Sequence, residues 1–201
     1  MALARSNEFD TGTVLTETKI EGEFDNIYNN SLSLISPLTG ALDTGATGQI
    51  IFPATQTASA GVNTLDDYEE GTWTPVLTFT TPGNLSVVYS SQFGKYRKVG
   101  DTVTIWCNVQ TSTFTHTTAS GSCQITGLPF ASVASYNNMG ALYWSGITKA
   151  TYTDINSRVA PSVSVIDFIA CGSGVTASNV AAADMPTGGG ILLLTTISYT
   201  T

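Results

Sequence analysis

Residues 94–113 read GKYRKVGDTVTIWCNVQTST, and their reading decides the fold. From Thr102 onward apolar and polar residues alternate. Val103, Ile105, Cys107 and Val109 fall on one side, and Thr104, Trp106 and Asn108 fall on the other. A period of two marks a strand with one buried face. Just before this run, Gly100-Asp101 is a turn signal, so 94–99 and 102–113 are expected to form a hairpin.

Working outward, further strand-like runs bounded by turn residues occur at 72–79, 85–89, 122–125, 140–147, 162–170 and 191–199. No helical periodicity of useful length appears after residue 70. The expectation is a mainly β protein whose residues 71–201 form a β-sandwich, jelly-roll-like in topology. Composition agrees. The chain has 201 residues, 42% hydrophobic, but only 11% charged, less than half of ordinary usage. Abundant Thr, Ser, Val and Ile suit strands.

Upstream, 1–15 looks like an extended arm, and 16–36 carries the one convincing helix signal. Thr18 with Glu21 fits a capping box, and Pro37 stops the helix. Ile20, Phe24, Ile27 and Leu34 follow heptad-like spacing, with Ser31 in the missing seam position. The stripe fits a short coiled coil or an amphipathic helix docked on its own domain. Residues 1–37 are therefore an arm and helix. Residues 38–70 are a Gly/Thr-rich stalk or linker ending in the acidic run Asp66–Glu70.

The net charge of −8 is unevenly placed. Residues 1–70 hold 11 acids and 2 bases, whereas 71–201 hold 4 acids and 5 bases. Lys95, Arg97 and Lys98 are the sole basic cluster, so nucleic acid is not an expected partner. The longest apolar run, Ile191 to Leu194, is too short to span a bilayer, and no signal peptide is legible, so no membrane insertion is expected. Three spaced cysteines, Cys107, Cys123 and Cys171, suit free thiols in a reducing compartment, with one disulfide left open.

Two stretches carry a resemblance. The first is LTETKIEGEFDNIYNNSLSLISPLTGALD, residues 15–43, which resembles the N-terminal segment of tailed-bacteriophage fibre and virion proteins. The second runs DDYEEGTWTPVL from Asp66, then FGKYRKVGDTVTIWCNV, then ITGLPF. It is similar to the β-domain at the distal end of phage tail fibres and receptor-binding proteins. The resemblance covers 15–43 and 66–130 better than 131–201. It implies a homotrimeric virion protein, assembled in the host cytoplasm, with its N-terminus on other virion proteins (capsid, portal, tail or baseplate) and its β-domain outward. On this reading Trp73, Pro75, Tyr96, Gly100, Trp106, Leu128, Pro129 and Phe130 are motif residues, and both tryptophans belong to packing. Tail fibre, spike, head fibre and capsid decoration all remain open.

Catalytic chemistry is hard to find. The triplets Asp10-Thr11-Gly12 and Asp43-Thr44-Gly45 look like aspartic-protease loops, but two lobes cannot be built in the 33 residues between them. Local Asx turns explain them better. His116 has no partner by sequence. The Asp66–Glu70 run matches no calcium-loop spacing. A glycan hydrolase needs two placed carboxylates, and the β-domain holds only Asp101, Asp154, Asp167 and Asp184. No cofactor or metal is expected, and the chain reads as no enzyme. Host-surface polysaccharide is the candidate ligand, because sugars stack on aromatic rings beside amide side chains. Tyr136, Asn137, Asn138 and Trp144 are the candidate contacts, with Tyr143 beside them.

Overall fold

The computed structural model describes residues 68–201; the expected arm, the expected helix with its stripe (Ile20, Phe24, Ile27, Leu34) and residues 38–67 of the expected stalk lie outside the described residues, whereas 68–70 belong to the first strand. Ten strands follow in order: β1 (Tyr68–Trp73), β2 (Val76–Thr81), β3 (Ser86–Val99), β4 (Thr102–Thr115), β5 (Ser120–Thr126), β6 (Asn138–Ser145), β7 (Asp154–Val159), β8 (Val165–Cys171), β9 (Ser178–Asn179) and β10 (Leu192–Thr200). Helical structure among these residues is confined to one 3-10 turn, Ala182–Asp184.

The β3–β4 hairpin sets the frame. Gly100, at φ +59°, makes its left-handed turn, with Val99 opposite Thr102. Val103, Ile105, Cys107 and Val109 are buried, each apolar side chain contributing about 1.5–3 kcal/mol by leaving water. β10 then inserts between β4 and β6, antiparallel to both. The strand order is β1-β3-β4-β10-β6-β7-β8-β5-β2, with β9 beside β8. The core lies inside this curl, where Phe79, Phe114, Ile125, Phe168, Leu193 and Tyr199 are fully buried.

This corrects the expected jelly-roll sandwich. Its two faces belong to one continuous curled sheet, an open half-barrel. The reason is local to β6. Ala141–Ser145 pair with β10, whereas Asn138–Gly140 pair with β7, so one strand serves both halves. Gly140 sits at the corner. A Cβ there would lie 2.6 Å from the Thr196 carbonyl oxygen and 2.8 Å from Ile197 Cβ and Ser157 Oγ. Only glycine lets the backbones come this close. At the open side β2 reaches β3 through side chains instead of a ladder: Tyr89 accepts the Leu77 N–H at 2.9 Å, and Gln92 donates to the Pro75 carbonyl at 2.8 Å.

Other boundaries differ for equally local reasons. The expected run 72–79 is two strands cut at Thr74-Pro75, because proline offers no ladder donor. The runs 85–89 and 94–99 are one strand of 14 residues, bulged around Tyr89. β7 was not expected. Its inward positions include Ser157, whose buried hydroxyl bonds the Gly140 carbonyl and Thr195 Oγ1 at 3.0 and 2.6 Å.

Candidate binding groove

The motif residues gather chiefly on the inner face near the β1–β3 edge. Gly71 faces Tyr96 and Trp73 faces Gly94 across the ladder. Each aromatic ring lies over the glycine opposite it. A Cβ on Gly94 would meet the Trp73 ring at 2.6 Å, and one on Gly71 would meet Tyr96 at 2.8 Å. Trp73 Nε1 donates to the Lys95 carbonyl at 3.3 Å. Tyr96 donates to the Glu69 carboxylate; that bond, with desolvation second, pushes its pKa up to about 12. Phe130 packs edge-on to Tyr96 with ring centroids 5.6 Å apart, and Tyr199 donates to the Phe130 carbonyl at 3.1 Å. Pro75 and Leu128 are buried, and Pro129 is half-buried. The spacing of GTWTP, GKY and GLPF is thus a packing code for one end of the half-barrel.

Trp106 departs from its expected place in packing. It points away from the core on β4 and is 37% exposed. The strand register places it in an aromatic surface. Phe93, Asn108, Leu194 and Tyr143 stand directly opposite one another across β3, β4, β10 and β6. Lys95, Trp106, Thr196 and Ala141 form the next row. Four strands at about 4.8 Å spacing make each row roughly 14 Å wide. Phe93 is 51% exposed and Tyr143 65% exposed. All of these residues except Lys95, which stands at the margin, line a shallow groove of about 430 Å³. At its floor Asn108 Oδ1 is buried without a hydrogen-bond partner, an unusual state for a polar atom.

The surrounding charge is sparse. Among the described residues the outward positions of β4 and β10 carry no ionisable side chain, and those of β6 carry only the Tyr143 phenol. Cations enter on β3. Arg97 pairs with Glu70 at 3.6 Å, and Lys95 meets no carboxylate among the described residues. A solvated antiparallel sheet face ordinarily alternates with charge. This one presents rings, hydroxyls and amides.

The expected contact residues are divided by the fold. Tyr136 is half exposed, and its hydroxyl is 2.7 Å from Thr200 Oγ1. Asn137 is exposed, and Asn138 Nδ2 is buried without a partner. Trp144 is half-buried and packs against the core, one step out of phase with Tyr143. Sequence reasoning missed Phe93, Asn108 and Leu194. Two-residue periodicity marks Asn108 as facing away from the core and the hairpin register pairs it with Phe93, but the register that brings in Leu194 is not local.

The remaining chemistry-bearing residues have structural surroundings. His116 packs edge-on to Phe79 and Phe114 at 5.2 and 5.3 Å, with Nε2 2.8 Å from the Met185 carbonyl. All three cysteines are free. Burial pushes the Cys107 thiol up to about 12 and raises Cys123 as well. Asp167 is held by Arg158 in a two-pronged pair at 2.9 and 2.5 Å, and Asp184 by Lys149 at 2.7 Å.

No protein-family profile and no curated protein matches the chain. Among solved structures it is similar to the crystal structure of the Dettilon tailspike protein, with a TM-score of 0.52 and 19% identity. The match covers 67% of this chain and 24% of that one, so this chain spans about a quarter of the tailspike's length. At that identity the likeness shows a shared mainly β fold.

Proposed function

We propose that this chain is a non-enzymatic structural protein of a tailed-bacteriophage particle, a trimeric fibre or spike. It attaches through its N-terminal segment and presents the half-barrel to host-surface glycan. The observation that carries this reading is the aromatic groove on the outer face of a fold shared with a tailspike protein. Rings with an amide between them suit the alternating C–H faces and hydroxyls of a sugar. No carboxylate stands among the described residues lining the groove, which supports attachment over hydrolysis. Three-fold association shields the sheet edges and multiplies weak sites. Exposed Val76 and Val88 lie on β2 and on the part of β3 that β1 leaves unpaired.

Immunogold labelling of purified phage particles, with antibody against residues 68–201, tests the assignment. Label at the tail is expected. Label spread over the head would favour capsid decoration, and unlabelled particles would refute a virion role.

A further inference from the structure

We infer that the groove between Phe93 and Tyr143 binds an acidic sugar, with Lys95 taking its carboxylate. This deepens the glycan-attachment reading and rests on it. Three observations converge. The first is the orphaned Asn108 amide at the floor. Its Oδ1 needs a donor, and with the amide turned the nitrogen in that place would need an acceptor; a sugar hydroxyl can serve as either. The second is the ring placement. Trp106 lies on the row beside Asn108, whose own row carries exposed Phe93 next to it and exposed Tyr143 beyond Leu194, so a flat C–H surface above Asn108 would meet rings along the groove.

The third is charge. Lys95 stands directly across the ladder from Trp106 and two residues along β3 from Phe93, on the same face. It is exposed, and among the described residues its ammonium meets no carboxylate. The nearest acid on that face, Glu70, is engaged with Arg97 at 3.6 Å. The groove itself is a neutral aromatic bed with no anion among its described lining residues, and Lys95, beside the lining residue Trp106, supplies one uncommitted cation at its margin. A neutral sugar would leave Lys95 idle, whereas a uronate or sialate would use all three features. Lysine serves here as a point charge, which tolerates varied carboxylate geometry.

The test uses the full chain and three named acidic polymers, polygalacturonate, hyaluronan and polysialic acid, with dextran as the neutral probe. Binding is read by tryptophan fluorescence and calorimetry. Saturable binding to at least one acidic polymer is expected, weakened tenfold or more as NaCl rises from about 50 to about 500 mM. Lys95→Met should weaken that binding at least tenfold, and Trp106→Ala should abolish it, with far-UV circular dichroism unchanged in both. The inference is overturned if none of the acidic polymers binds, if dextran binds as tightly, or if Lys95→Met is silent. It is also overturned if Trp106 is shielded from acrylamide in the ligand-free chain, because a neighbouring copy then covers the groove. Attachment to host cells separates the two levels. Attachment that survives in Lys95→Met leaves the glycan reading standing and removes this site. Failure of the wild-type chain to attach removes the reading itself.

Discussion

Replacing Gly140 with alanine should damage the protein more than its single added methyl suggests. The new Cβ would be placed 2.6 Å from the Thr196 carbonyl oxygen, with Ile197 Cβ and Ser157 Oγ both at 2.8 Å. Two of these three belong to groups that cannot swing away. The Thr196 oxygen is backbone in the β10 ladder, and Ile197 is fully packed. Relief requires β6 to move off β10 at the corner where it passes to β7. That movement strains the Ser157 hydroxyl bonds to Gly140 and Thr195. Overpacking of this kind costs about 1–3 kcal/mol, and loosening a buried hydrogen bond adds about 1 kcal/mol. The expected loss is therefore about 2–4 kcal/mol. Urea unfolding followed by tryptophan fluorescence measures it. Gly100→Asn is the internal control, because Gly100 needs only its positive φ and has nothing within 4 Å. Asparagine tolerates that conformation, so the control should lose less than about 1 kcal/mol. If Gly140→Ala costs no more than Gly100→Asn, the account of β6 as a single strand pinned in both half-sheets is wrong.

Arg158→Met should cost about 2–3 kcal/mol in the same urea assay, because it strands the nearly buried Asp167 carboxylate; adding Asp167→Leu should recover most of the loss. Asn108→Leu should leave stability unchanged or raise it by up to about 1 kcal/mol, since it removes an unpartnered buried oxygen, and thermal unfolding will show which. Alkali should destabilise the fold. Cys107 is held protonated to about 12 by burial against an ordinary 9.0, and Cys123 is raised too. Their stability contribution is fully present below about pH 9 and is lost as pH rises toward the folded values. The expected slope is about 1.4 kcal/mol per pH unit for each thiol, read by urea titrations from about pH 8 to 11.

The hairpin and its buried face were legible because they are written locally. Val103, Ile105, Cys107 and Val109 alternate without interruption, and Gly100-Asp101 marks the turn. β7 was not legible because its inward position 157 holds a serine, which becomes an inside residue only through hydroxyl partners on β6 and β10. The continuous curl was hidden in the same way. Nothing beside Gly140 announces that one strand changes partners midway. The motif glycines were recognised as a pattern, whereas their cause, Trp73 and Tyr96 lying over Gly94 and Gly71, needed the ladder. The groove followed that rule most strongly. Phe93 and Asn108 pair within the β3–β4 hairpin, but Leu194 and Tyr143 join them only through β10. Trp106, expected in packing with the other motif residues, follows instead the outward phase that its place next to buried Cys107 dictates.

Sedimentation equilibrium of the full chain at micromolar concentration bears most directly on a self-associating particle appendage. The account predicts a single species of about three times the chain mass of 21.1 kDa, stable to dilution. A well-folded species at 21.1 kDa that persists as concentration rises would contradict it.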